Sequence, residues 1–296
     1  MKKHSLLIIA GASFWGVMGI FSRSAEKMGF STLEAAALRI IWAALLLSAI
    51  MLIKDKSAFR VRLRDLPLLA VTGIVSIFAM SFFYLSAISA ASMSVAAILL
   101  YTAPFFVTAA SAVIYKERIT PKTASALLLA FLGCVLIAGV GGNVTPAGLF
   151  YGLMAGITYA SYSIFGKKAL ERYSAYTVTL WAFIFAALSA LFAVNPVSLI
   201  SKTVQGGAGA FALTLAMGLV TAVIPFLLYT LGLVGTQAGK ASVMATAEPM
   251  VATLAGMLVF GEIPGIVSVV GMLLVIFAIA LLNNFGRRDL NFKAEK

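Results

Sequence analysis

The chain has 296 residues, 62% hydrophobic and only 11% charged, with a formal net charge of +12 and a mean hydropathy of +1.05. Water-soluble domains are about 45–50% apolar and about 25% charged, so this composition excludes a soluble fold, whose surface would be one contiguous apolar patch. A bilayer is the solvent that fits.

A hydrocarbon core about 30 Å thick takes about 20 residues of helix. Ten apolar runs of that size follow one another, at 5–22, 33–53, 67–86, 93–115, 122–140, 147–165, 176–194, 209–231, 238–260 and 264–283. They are long and lack period-two alternation, so they read as helices rather than barrel strands. The expected fold class is an all-α membrane protein with ten transmembrane helices. The first run follows Met1, Lys2, Lys3 and His4 but has no clean small-residue cleavage site, so it reads as a span and not as a signal peptide.

Arg39 lies inside the second run, roughly 6 Å from the midplane by helical rise, among the small residues Ala35, Ala36 and Ala43. Three roles are open to it: snorkelling outward, pairing with Glu248, or holding a substrate carboxylate by a two-pronged contact. Trp15, Phe78, Tyr84, Tyr101, Tyr159, Tyr162 and Tyr229 fall at similar depth and are candidates for a cavity wall, because a buried tyrosine hydroxyl needs a partner. Tyr84, Tyr101 and Tyr229 are preferred among them. Cys134, the single cysteine, sits in the fifth run, which rules out an intrachain disulfide. In the sixth run Gly148, Gly152 and Gly156 form a small-residue strip suited to close packing within the fold, or else to a dimer face.

The ninth run, ASVMATAEPMVATLAGMLVFGE over 241–262, places Glu248 near mid-membrane, directly before Pro249. An ionisable group at that depth costs roughly 2.5–3.5 kcal/mol and marks a functional site facing protein or a watery cavity. Pro249 removes a backbone donor and frees the carbonyl of Ala245, and Pro104 does the same for Leu100 beside Tyr101 and Thr102.

The basic residues alternate by loop. With the N-terminus inside, 18 of the 22 Lys and Arg fall on the cytoplasmic side, while Arg23, Lys27 and Lys202 fall opposite. The positive-inside rule therefore puts both termini in the cytoplasm of a multi-pass protein of the cell membrane. The positive charge is a topology signal, so no nucleic-acid partner is expected.

Tyr84 and Tyr229, Pro104 and Pro249, and Glu117 and Glu262 are each 145 residues apart. Two halves of an odd number of spans cross the membrane in opposite senses, so they form inverted repeats. Such repeats place a substrate site near the midplane between them. The units expected are residues 1–142, 143–286 and a cytoplasmic tail at 287–296. Glu117 and Glu262 lie at span ends, where they are expected to bond backbone donors at the next helix start or to pair with Lys116 or Arg118, with gating as the less favoured alternative.

Trp15 and Gly16, Arg39, and the paired segments APFF…YKERIT (103–120) and AEPMVATLAGMLVFGE (247–262) resemble the EamA-type family of the drug/metabolite transporter superfamily. The resemblance covers about residues 5–283. It implies two inverted five-helix repeats and the movement, as export in the leading reading, of amino acids or similar small metabolites by alternating access. A passive facilitator or channel is the alternative. The first half departs from the second in carrying Ala103 where the second has Glu248, so the site is expected to be asymmetric.

The candidate substrate-binding set is Glu248, Arg39, Tyr84, Tyr101, Trp15, Tyr229 and Tyr159, with Pro104 and Pro249 as helix breaks. The expected partners are the small-molecule substrate, membrane lipid and a coupling proton taken up by Glu248, in a monomer or homodimer. No cofactor or metal is expected. An enzyme is not expected either, because HExxH, GxSxG and GxxxxGK[ST] are absent and His4 is the lone histidine.

Overall fold

The computed structural model describes residues 2–139, 141 and 144–284, so the junction at 142–143 and the expected tail at 287–296 lie outside the described residues. Among those residues the chain is helical throughout, with no strand. Eight segments are long and apolar enough to cross a membrane: α1 (Lys3–Lys27), α2 (Thr32–Lys54), α3 (Leu63–Ala90), α4 (Met93–Ile114), α5 (Pro121–Ala138), α7 (Ala175–Ala193), α8 (Gly207–Val234) and α9 (Ala238–Phe260). Two further helices are α6 (Pro146–Ala169) and α10 (Ile266–Asn284). Each apolar run read from the sequence falls largely on one of these ten, five of which, α1, α2, α3, α6 and α8, outreach it at both ends, and several helices begin beside a polar residue.

Those polar starts satisfy the free N–H groups that every helix leaves at its N-terminus. Ser31 accepts from the Glu34 amide at 3.2 Å while Glu34 accepts from the Ser31 amide at 2.7 Å, a reciprocal cap for α2. Thr120 and Thr145 cap α5 and α6, each followed by a proline at the first helical position, where a missing N–H costs nothing. A short helix, Pro196–Gln205, capped by Asn195, is absent from the sequence reading. Its Lys202 reaches Glu34 Oε2 at 2.7 Å, which ties it to the start of α2.

Packing interlocks the two halves. α1 lies against α8 and α9, and α6 lies against α3 and α4, so the first helix of each half is lodged in the other. α2 packs on α7, and α5 on α10. Small residues permit these approaches: a methyl group at Gly11 would stand 2.9 Å from the Pro225 carbonyl oxygen, and one at Gly16 would stand 2.8 Å from that of Glu248. The Gly148, Gly152 and Gly156 strip is covered by Ala91, Leu99 and Thr102, so it serves packing within the chain.

α3 and α8 each contain one wide π-helical turn, Ile74–Ala79 and Leu219–Val223. Their first residues are again 145 apart, as are the glycines just before them, Gly73 and Gly218. Gly73 lets α3 approach the backbone of α7 at Ala182, and Gly218 lets α8 approach α2 at Trp42 and Arg39. A π turn shifts the register of the backbone ladder and is frequent at functional sites. Ser76 of the first turn lines a central cavity, and the Thr221 carbonyl of the second accepts from Arg39, which lines another.

Candidate functional site

α4 and α9 break at matching places. In α9 the helix stops at Ala245 and restarts at Ala247, and both the amide and the hydroxyl of Thr246 reach the Val243 carbonyl, at 3.2 and 2.6 Å. In α4 the amide and hydroxyl of Thr102 reach the Leu99 carbonyl, at 3.1 and 2.5 Å. Pro104 and Pro249 thus stand in the first turns of restarted helices and do not kink continuous ones. Each proline lacks the N–H that would bond the carbonyl four residues back, and each stands just past a helix break. Leu100 and Ala245, whose carbonyls the prolines leave without the usual donor, both border cavities.

Glu248 is the second residue of its restarted segment, at the end of a helix where backbone N–H groups favour negative charge. It is half-buried and looks into a cavity of about 70 Å³ that Arg39, Trp15, Tyr84 and Tyr159 also border. The Tyr159 hydroxyl donates to Glu248 Oε2 at 3.3 Å.

Arg39 is only 4% exposed, which excludes the snorkelling reading. Its Nη1 donates to the Thr221 carbonyl at 3.4 Å and approaches Met18 Sδ at 3.5 Å, while its Nε has no hydrogen-bond partner. Thr221 belongs to the π turn of α8. Among the described residues Arg39 and Glu248 form no ion pair: they face the same space from opposite halves. An unpaired buried donor is expensive, and a charged group entering the cavity would relieve it.

A second cavity of about 20 Å³ shares Trp15, Tyr159 and Phe226 with the first and reaches Tyr229, Pro104, Ser76 and Ser163. The Tyr229 hydroxyl is engaged with Ser163 Oγ at 2.6 Å, and Ser76 Oγ with Ser161 Oγ at 2.6 Å. Of the candidates named from sequence, Glu248, Arg39, Tyr84, Trp15 and Tyr159 therefore share one space, and Tyr229 borders the next. Tyr101 borders neither, although it packs on the same core. Met18, Met80, Phe226, Ser76 and Ser163 line the cavities without any sequence signal of their own. The π turns did carry one, in Gly73 and Gly218 at the repeat spacing.

A wide vestibule of about 690 Å³, lined by Glu26, Ser31, Thr32, Ser86 and Tyr151, shares Leu85 with the Glu248 cavity. It approaches from the α1–α2 connection, the end away from most Lys and Arg. At the other end Lys167 donates to Glu117 Oε1 at 2.9 Å and to the Thr236 carbonyl at 2.8 Å. Glu117 also accepts from the Ala238 amide at 3.1 Å, which opens α9 of the other half, whereas the helix start expected was that of the next helix, α5. Its ionic partner is Lys167 and not Lys116 or Arg118, and that of Glu262 is Arg23, at 2.6 Å. Tertiary packing brings in charges that are remote in sequence.

The EamA-like transporter family profile matches residues 2–139 and again 146–284. An uncharacterized transporter of Archaeoglobus fulgidus is 26% identical over 281 residues, covering 95% of this chain and 96% of its own. A probable terminal-alkyne amino-acid exporter of Streptantibioticus cattleyicolor is 26% identical over 241 residues, 77% of each chain. A solved structure at 20% identity superposes with a TM-score of 0.81, covering 97% of this chain and 99% of the other. That last likeness is one of fold.

Proposed function

Because the chain belongs to the EamA-like transporter family, we propose that it is a secondary transporter that carries an amino acid or similar small polar metabolite across the cytoplasmic membrane, in the direction of export. In this reading all ten helices cross the bilayer, as two inverted units of residues 1–142 and 143–286 with both termini in the cytoplasm. The substrate sits between the units and is exposed to each side in turn. The single observation that carries the reading is the cavity shared by Arg39 of the first half and Glu248 of the second. An anionic and a cationic side chain, walled by Trp15, Tyr84 and Tyr159, can hold a molecule that bears both charges. The relative named a probable terminal-alkyne amino-acid exporter supports that substrate class.

Glu248 is the proposed site of proton coupling. A carboxylate inside a membrane trades its charge either for a substrate cation or for a proton, which makes the two competitive. The test is exchange of radiolabelled amino acids by proteoliposomes with and without an imposed pH gradient. Glu248→Gln is expected to keep the fold and to lose gradient-driven exchange. Gradient-driven exchange at parental rate in that variant removes Glu248 from the coupling step, and flux that never saturates with substrate removes alternating access altogether.

A further inference from the structure

Among the described residues four ion pairs join the halves, Arg23–Glu262, Lys167–Glu117, Arg172–Asp65 and Lys202–Glu34, and the first two stand one at each end of α9. At the start of α9, Lys167 of α6 holds Glu117, which in turn accepts from the Ala238 amide. Just beyond its last turn, Glu262 is held by Arg23 of α1 at 2.6 Å, with the Arg23 guanidinium 4.4 Å from the centre of the Phe260 ring. From Ala238 to Phe260 the rise is about 33 Å, close to the thickness of the hydrocarbon core. The pairs therefore sit at opposite membrane faces.

They are also copies of one another. Glu117 and Glu262 are 145 residues apart and Arg23 and Lys167 are 144 apart. Each pair joins the glutamate that follows the fourth helix of one half to a base near the end of the first helix of the other. A bland surface ion pair is worth about 0–1 kcal/mol and has no reason to recur. These recur in mirrored positions, and always between halves that must move against each other if access alternates.

Their surroundings differ. The side chains of Lys167 and Glu117 are 23% and 12% exposed, whereas those of Arg23 and Glu262 are 47% and 54% exposed. The vestibule is separated from the Glu248 cavity by side chains that include the shared Leu85, and it lies toward the α1–α2 connection, as Arg23 does, whereas the Lys167 end is knitted further through the Thr236 carbonyl.

We propose that Lys167–Glu117 and Arg23–Glu262 are the two latches of the transport cycle, each sealing one end of the substrate path. Lys167–Glu117 holds its end shut in the state seen here, and Arg23–Glu262 becomes the buried latch when that end opens. This rests on the alternating-access reading above.

The test uses full-length protein in proteoliposomes, with Cys134→Ser to remove the only cysteine and Met80→Cys to place a thiol on the cavity wall. A membrane-impermeant thiol reagent is applied from each face and the labelling rates are compared. Lys167→Gln is expected to raise the rate from the Lys167 face roughly fivefold or more, the lower end of conformational coupling, and to lower it from the other face. Arg23→Gln is expected to do the reverse, and because its side chain is half-exposed this variant tests the proposal even if Lys167→Gln does not fold. The exchange Glu117→Lys with Lys167→Glu is expected to restore the parental rates. If the parent is labelled from both faces and both variants keep its ratio, the latches are refuted while alternating access stands. If the parent is labelled from one face only, alternating access fails and the latches fail with it.

Discussion

Gly16 and Gly19 stand one turn apart on α1 and meet opposite surroundings. A methyl group at Gly16 would lie 2.7 Å from Val251 Cβ, 2.8 Å from the Glu248 carbonyl oxygen and 2.9 Å from the Ala252 nitrogen, while one at Gly19 would meet nothing within 4 Å. Two of the three neighbours at Gly16 are backbone atoms of α9, so no side-chain rotation relieves the overlap and the helices must part by several tenths of an ångström. Both Gly→Ala changes gain the same helix propensity, about 0.8–1.0 kcal/mol. Their difference therefore isolates the contact, for which overpacking costs about 1–3 kcal/mol. Gly16→Ala is expected to unfold several degrees below Gly19→Ala in detergent, and to slow amino-acid exchange because the displaced segment carries Glu248. Gly19→Ala is expected to match or exceed the parent in stability. If Gly16→Ala unfolds no earlier than Gly19→Ala, then α1 does not pack on α9 as described, and the cavity between the halves is wrong with it.

Other changes follow from single contacts. Tyr159→Phe removes the donor to Glu248, and a hydrogen bond to a charged group contributes about 1.5–3 kcal/mol. At 3.3 Å the lower end applies, so stability is expected to fall by about 1.5 kcal/mol, read by thermal unfolding in detergent. Thr230→Val is expected to lower stability by about 1–3 kcal/mol, seen in thermal unfolding, because Thr230 serves both Tyr162, at 2.8 Å, and Thr179, at 3.2 Å, in a site with no solvent exposure. Ser31→Ala breaks the reciprocal cap of α2 and is expected to cost about 0.5–2 kcal/mol in the same measurement, with exchange activity kept.

The apolar helices were readable from hydropathy because a bilayer demands runs of about 20 apolar residues, and the repeat was readable because tyrosine, proline and glutamate are uncommon enough to stand out at a fixed spacing. Trp15, Arg39, Tyr84, Tyr159 and Glu248 were found as polar or aromatic side chains at mid-membrane depth. Tyr101 satisfied the same criterion and borders neither cavity, since depth says nothing about the direction in which a side chain points. The ionic partners of Glu117 and Glu262 escaped for a related reason. Lys116 and Arg118 are adjacent in sequence, but adjacency along a helix end does not bring charges face to face, whereas Lys167 arrives from the other half. The π turns were foreshadowed by Gly73 and Gly218, whose shared spacing is one more coincidence among many in a chain with 25 glycines. The exchange of first helices between halves left no sequence trace, because α1 and α6 are apolar enough to suit either neighbour.

That exchange governs how the molecule is put together. Gly11 and Gly16 dock on Pro225 and Glu248, which leave the ribosome 214 and 232 residues later. At about 5–20 residues per second, that delay is roughly ten to forty-five seconds. Throughout that delay α1 lacks the helices that cover the bare backbone of its glycines, and the contact forms only once α8 and α9 have been made.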